Sequence, residues 1–161
     1  MRHLYRLENG IARAEGFALC ALVLGMVLLS SLQIIMRLAF HSGIMWADPM
    51  LRYMVLWAGF IGAALAARYG RHFCLDLAHK FLHGGLGRAA RAGSSLVSAV
   101  VCVLLINAAW KFLMEEKANS VVSFSIGSFE VMAAWTEFIL PLGFALILFH
   151  TVIGVFRPEE A

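Results

Sequence analysis

The fold is decided by residues 46–76, which read WADPMLRYMVLWAGFIGAALAARYGRHFCLD. Residues 53–67 of this stretch carry no charge, whereas Asp48 lies before them and Arg68 directly after them. A membrane span needs about 17–25 mostly apolar residues, and residues 50–70 together reach that length. The stretch therefore predicts a transmembrane helix with polar residues at both of its ends.

The composition of the whole chain agrees with a membrane protein. Of the 161 residues, 61% are hydrophobic and 14% are charged, whereas soluble domains carry about 25% charged residues. The apolar runs are continuous rather than alternating, which favours helices over a barrel. We therefore predict an all-α integral membrane protein with a single membrane domain over residues 1–161. Its four transmembrane helices are expected at about 16–37, 50–70, 93–114 and 131–156.

The lysines and arginines outside the spans fall unequally on the two sides of the membrane. On one side, three precede the first span, five lie in the middle loop and one lies in the C-terminal tail. On the other side, the loop between the first two spans and the loop between the last two spans carry two each. Loops rich in Lys and Arg stay on the cytoplasmic side. This distribution predicts that both termini are cytoplasmic.

Short amphipathic helices are expected at the cytoplasmic membrane surface, one at the N-terminus and one at about residues 73–84. In the second segment, Leu77 and Phe81 share one helical face and Lys80 lies on the other, as in helices that lie in the headgroup layer. Basic residues near this layer are predicted to contact anionic phospholipids; they are Arg71, Arg88 and Arg91.

Small residues follow one another along the second span. Gly59, Gly62, Ala63 and Ala66 are spaced by three or four residues, and such a stripe lets another helix approach closely. The neighbouring helix could belong to this chain or to a partner, and the sequence leaves both open.

Glu137 is the one carboxylate in the fourth apolar run. A carboxylate within a span suggests a proton or cation site, as in small multidrug-type exporters. Alternatively, Trp135 marks the outer interface and Glu137 stays hydrated one turn below it. We favour the second interpretation because residues 138–156 are long enough to span without Glu137.

The remaining polar residues do not indicate enzymatic chemistry. The spacing of His72, Asp76, His79 and His83 could present metal ligands, but it also suits the polar face of an amphipathic helix, and we expect no metal. His150 is the only histidine well inside a span, which argues against a haem held by two intramembrane histidines. With no nucleophile or phosphate-loop motif and a net charge of only +3, we expect no enzyme, no cofactor and no nucleic-acid partner.

The order of residues in the quoted stretch resembles the small membrane subunit of tripartite ATP-independent periplasmic (TRAP) transporters, the DctQ-like family. A weaker match in the fourth span is Trp135 followed by Pro141, Leu142 and Gly143. One departure is Pro49, where many members have a second acidic residue; proline is well tolerated in the first turn of a helix. The matching positions are Trp46, Asp48, Arg52, Tyr53, Trp57, Gly62, Ala63, His72 and Asp76.

The resemblance implies a subunit of the bacterial inner (cytoplasmic) membrane. A large DctM-like membrane subunit would carry the substrate and sodium sites, and a periplasmic DctP-like binding protein would deliver an organic acid without use of ATP. The small subunit would pack against the large one and help to dock the binding protein. The predicted partner interface comprises the nine matching positions together with Gly59 and Ala66, and Asp48 is expected to pair with Arg52, four residues on.

Two other functions compete with this one. A self-sufficient exporter using Glu137 predicts transport by this chain alone. A membrane anchor subunit of a respiratory complex predicts bound haem or quinone. The transported solute cannot be read from this sequence, because in the family it is selected by the other two components.

Overall fold

A computed structural model describes residues 2–81 and 85–155, with side chains at 8–69, 93 and 96–153. The chain forms helices α1 (Arg2–Phe40), α2 (Ala47–Phe81) and α3 (Gly85–Ala118), strands β1 (Val122–Ile126) and β2 (Phe129–Met132), and helices α4 (Ala133–Glu137) and α5 (Ile139–Val155). Four segments are long and apolar enough to cross a membrane: Glu8–Phe40, Ala47–Tyr69, Leu96–Ala118 and Ala133–Ile153. The prediction of a four-span helical membrane protein is confirmed.

Helix α2 continues past the end of the predicted span. A separate interfacial helix was expected from about residue 73, but residues 73–81 extend α2 without a break, and residues 82–84 lie outside the described part of the chain. Gly70 is the only glycine in this region of α2, and one glycine inside a helix costs only about 1 kcal/mol. The interfacial position of this segment stays a prediction.

The helices pack so that α2 lies between α1 and α5, and α5 lies between α2 and α3. At Gly143 of α5, the Phe60 side chain of α2 fills the space that a side chain would need. Phe60 also packs edge-on against Phe144, with ring centroids 5.1 Å apart. A large side chain of α2 therefore packs over a glycine of α5 at this contact.

The fourth span is interrupted between α4 and α5 at Phe138. Pro141 explains the interruption, because it has no N–H to donate to the carbonyl of Glu137 four residues earlier. The N–H of Leu142 still donates to the Phe138 carbonyl at 3.3 Å, so the helix resumes at once.

The antiparallel β-hairpin between α3 and α4 was not predicted. Its register pairs Phe124 with Val131 and Ile126 with Phe129, and the strands are joined at Gly127, whose φ of +62° suits glycine. The hairpin lies at the same end of the bundle as the α1–α2 connection, residues 41–46, and this end is called the hairpin end below. The C-terminal ends of α2 and α5 lie at the opposite end of the bundle.

Candidate partner-binding face of helix α2

One face of α2 is exposed along the whole apolar part of the helix. Its residues recur every three or four positions, as a single helical face requires. Small residues occupy the middle of this face, which we call the α2 outer face. It consists of Arg52, Val55, Gly59, Gly62, Ala63, Ala66 and Tyr69; Gly62 is half-buried and the others are exposed.

Among the described residues, nothing packs closely against the two glycines of the α2 outer face. A Cβ added to Gly59 or Gly62 would meet no atom within 4 Å. By contrast, a Cβ at Gly25 would lie 2.9 Å from Cε of Met54, and one at Gly143 would lie 2.8 Å from Cβ of Phe60. The described structure therefore has glycines that serve internal contacts, whereas those of the α2 outer face, like Gly10, Gly16 and Gly93, have open space in front of them.

Tyr53 and Trp57 face into the chain, whereas Tyr69 of the same helix is exposed. Trp57 donates a hydrogen bond from Nε1 to the Thr136 carbonyl at 2.8 Å. Tyr53 packs against Phe124 of β1, with ring centroids 6.2 Å apart. Trp46 is half-buried at the start of α2. Tyr53 and Trp57 thus position the hairpin and α4 on α2, and neither belongs to the α2 outer face.

Asp48 joins α2 to α1 rather than to its own helix. Its carboxylate accepts hydrogen bonds from Arg37 Nη2 at 2.8 Å and from Gln33 Nε2 at 2.8 Å. Gln33 is only 5% exposed, so the hydrogen bond between Gln33 and Asp48 is partly shielded from the surroundings. The ion pair expected with Arg52 is absent from the described side chains, and Arg52 remains exposed at the hairpin end of the α2 outer face.

Replacing Asp48 by alanine is expected to lower the unfolding free energy of the isolated chain by about 1 kcal/mol. The change removes an exposed ion pair and a favourable charge at a helix N-terminus, each worth up to about 1 kcal/mol. A denaturant titration in detergent micelles measures it. Arg52→Ala is the matched control, and its effect should stay within about 0.5 kcal/mol; equal losses in both variants would contradict the contacts seen here.

The other predicted site residues cannot be placed in this way. His72 and Asp76, assigned to the partner interface, and Arg71, Arg88 and Arg91, assigned to lipid headgroups, lie in helices whose side chains at these positions are outside the described residues. The side chain of His79 is likewise outside the described residues, and His83 lies wholly outside the described part of the chain. Among the described residues, no group of three or more His, Cys, Asp or Glu side chains could hold a metal ion.

Glu137 is the last residue of α4 and is half-buried. Its Oε2 atom is buried without a hydrogen-bond partner in the described structure. Trp135, two residues earlier, is 77% exposed. The side chain of Glu137 is therefore less exposed to the surroundings of the bundle than that of Trp135.

A polar cluster at the opposite end was not recognised in the sequence. Nε2 of His150 lies 3.2 Å from both carboxylate oxygens of Glu15, and Nδ1 lies 3.7 Å from Oε1 of Glu8. Arg68 reaches the same Glu8 oxygen at 3.7 Å and donates to Asn9. The cluster joins α1, α2 and α5. The available signal was Glu8, Ala12 and Glu15, which repeat at helical spacing on the buried face of α1.

Comparison with known proteins identifies the family. The family described as "Tripartite ATP-independent periplasmic transporters, DctQ component" matches residues 26–160. A Haemophilus influenzae protein named "Putative TRAP transporter small permease protein" is 26% identical over 93 residues, which cover 57% of this chain. The chain spans about 58% of that relative's length. Because the family match extends over most of the sequence, the chain belongs to the DctQ component family of tripartite ATP-independent periplasmic transporters.

Proposed function

We propose that this chain is the small membrane subunit of a TRAP transporter and that the α2 outer face packs against the large membrane subunit. The observation that supports the proposal most strongly is the open space in front of Gly59 and Gly62. Glycine is an unfavourable residue inside a helix. In the described part of the chain no neighbouring helix approaches these two glycines, and a helix of another chain would account for them.

Interactions within a bilayer favour this kind of contact. Lipid tails are as apolar as leucine, so helices associate through close packing and interhelical hydrogen bonds rather than through the hydrophobic effect. The small residues from Gly59 to Ala66 would let two backbones approach. Arg52 is exposed at one end of the same face, where a carboxylate of the large subunit could pair with it. Tyr53 and Trp57 would stabilise this contact with the large subunit indirectly, because they fix the position of α2 against the hairpin and α4.

The family match supports an uptake function for the proposed complex. The complex would take up an organic acid together with sodium, and a periplasmic binding protein would deliver the substrate. The excess of Lys and Arg near the N-terminus and in the middle loop supports cytoplasmic termini in the bacterial inner membrane. In that orientation the hairpin end faces the periplasm, where the small subunit would help to dock the binding protein.

Gly62→Leu is expected to reduce the amount of large subunit that co-purifies with this chain by at least tenfold, which corresponds to about 1.4 kcal/mol of association free energy. Leucine is a good helix former and meets open space at this position, so the isolated chain should keep its stability. The measurement is a tagged co-purification in mild detergent, together with sodium-driven uptake in liposomes that contain all three components.

Two controls make this test specific. Gly62→Ala should leave the isolated chain as stable or more stable, and should weaken assembly less than leucine. Ser98→Leu introduces a similar increase in size at an exposed position of α3 and should leave assembly unchanged. Normal assembly of Gly62→Leu with loss in Ser98→Leu would move the interface to α3, whereas transport by the isolated chain would overturn the subunit assignment.

A further inference from the structure

The β-hairpin has two chemically different faces. The cross-strand pairs Phe124–Val131 and Ile126–Phe129 alternate with the pair Ser125–Glu130. Because successive residues of a strand point to opposite faces, the first two pairs form one apolar face and the third lies on a polar face. The hairpin is therefore amphipathic.

Only half of the apolar face is covered by the rest of the chain. Phe124 packs on the Tyr53 ring of α2, and its partner Val131 is half-buried. Towards the turn, Ile126 is 41% exposed and Phe129 is 72% exposed. The same face that rests on a membrane-spanning helix thus continues towards the turn without a covering group among the described residues.

The base of the hairpin is held firmly, which fixes the direction of this face. The N–H of Ala133 donates to the Val121 carbonyl at 2.8 Å. The hydroxyl groups of Ser123 and Thr136 lie 3.1 Å apart, and the Thr136 hydroxyl donates to the Ala133 carbonyl at 2.9 Å. These bonds tie the start of β1 and the end of β2 to the first turn of α4.

The depth of the hairpin follows from the residues that it touches. Tyr53 lies six residues after Ala47, the first residue of α2, so at 1.5 Å per residue it is about 9 Å inside the end of the helix. Ile126 is two residues beyond Phe124, a distance of about 7 Å along a strand. The rings of Tyr53 and Phe124 are also 6.2 Å apart. Even with this separation, a strand that ran straight outward would leave Ile126 and its partner Phe129 within about one helical turn of the start of α2. The exposed apolar pair therefore lies at the depth of the span ends.

At this depth, the surroundings of a membrane protein are lipid headgroups and the upper part of the acyl chains. Aromatic side chains are enriched in this layer, and Trp135 is exposed at the corresponding end of the fourth span. We propose that the hairpin is a membrane-interface anchor, with Ile126 and Phe129 inserted into the headgroup–acyl boundary of the bilayer and Ser125 and Glu130 facing water. This role does not depend on the proposed transporter complex.

Spin labelling of the isolated full chain in phospholipid nanodiscs tests the anchor. The native Cys20, Cys74 and Cys102 are replaced by alanine, and single cysteines are introduced as Ile126→Cys, Phe129→Cys, Ser125→Cys and Glu130→Cys. Collision with oxygen, which concentrates in lipid, and with a water-soluble nickel chelate is measured for each label. The labels at 126 and 129 should collide several-fold more with oxygen than with the chelate, and the labels at 125 and 130 should show the reverse.

The two faces serve as controls for each other, because all four positions belong to the same hairpin. Equal access of the chelate to all four labels in a chain with the wild-type circular dichroism spectrum would overturn the anchor. Chelate access at 126 and 129 in the isolated chain that is lost only when the large subunit is added would also overturn it, in favour of a protein contact. Neither result depends on whether Gly62→Leu weakens assembly, so the anchor and the subunit contact can fail separately.

Discussion

Replacing His150 by leucine is expected to lower the unfolding free energy of the isolated chain by about 1.5–3 kcal/mol, the range for hydrogen bonds that involve a charged group. His150 is 1% exposed, and its ring contacts carboxylates of both Glu15 and Glu8. Without the imidazole, the Glu15 carboxylate keeps its burial but loses the hydrogen bond that the described structure provides. The loss should appear in a reversible denaturant titration in detergent micelles.

A double-variant cycle separates this contact from general packing damage. Leaving one polar partner buried costs more than removing both, because the remaining group keeps its desolvation penalty. Glu15→Leu combined with His150→Leu should therefore lose less than the sum of the two single variants, with a coupling of about 0.5–3 kcal/mol. His41→Asn, at an exposed histidine of the α1–α2 connection, is the control and should be near neutral. Additive single losses would show that His150 and Glu15 do not interact.

The four spans could be predicted from the sequence because the bilayer leaves few alternatives. Backbone polar groups inside lipid must be paired within the segment, so a long apolar run becomes a helix. The interruption of the fourth span likewise has a local cause in Pro141. The hairpin also had a local signal, since residues 121–126 are mostly β-branched, serine or aromatic and precede Gly127 and Ser128, a pattern typical of two strands joined by a tight turn.

The contacts between helices could not be predicted in the same way. Asp48 has a suitable partner four residues away in Arg52, but the folded chain brings it to Arg37 and Gln33 on α1 instead. The partners of His150 are more than 130 residues away in the chain. For Gly59 and Gly62, the sequence shows small size but not whether a neighbouring helix occupies the space. Each of these outcomes depends on which helix faces lie together, and periodicity does not encode that.

Gly143→Val is expected to have an effect on the isolated chain as large as that of the His150 variant, with a loss of about 1–3 kcal/mol or more from overpacking. A Cβ at this position would lie 2.8 Å from both Cβ and Cγ of Phe60. These atoms are close to the α2 backbone and cannot move away as the end of a flexible side chain can. Helices α2 and α5 would therefore have to separate, which would also disturb the Phe60–Phe144 contact.

Gly59→Val is the matched control, because it makes the same change in a helix where the added atoms meet open space. It should be near neutral or slightly stabilising, because valine has a somewhat higher helix propensity than glycine. It should nevertheless weaken co-purification with the large subunit, which Gly143→Val would do only through loss of folding. Reducing the facing side chain supplies a second check. Phe60→Leu should be destabilising in the wild-type background and should recover part of the stability lost in Gly143→Val. Equal losses for Gly143→Val and Gly59→Val would mean that α5 does not approach α2 at Gly143. In that case, Gly59 and Gly143 would not differ in how closely the rest of the chain packs against them.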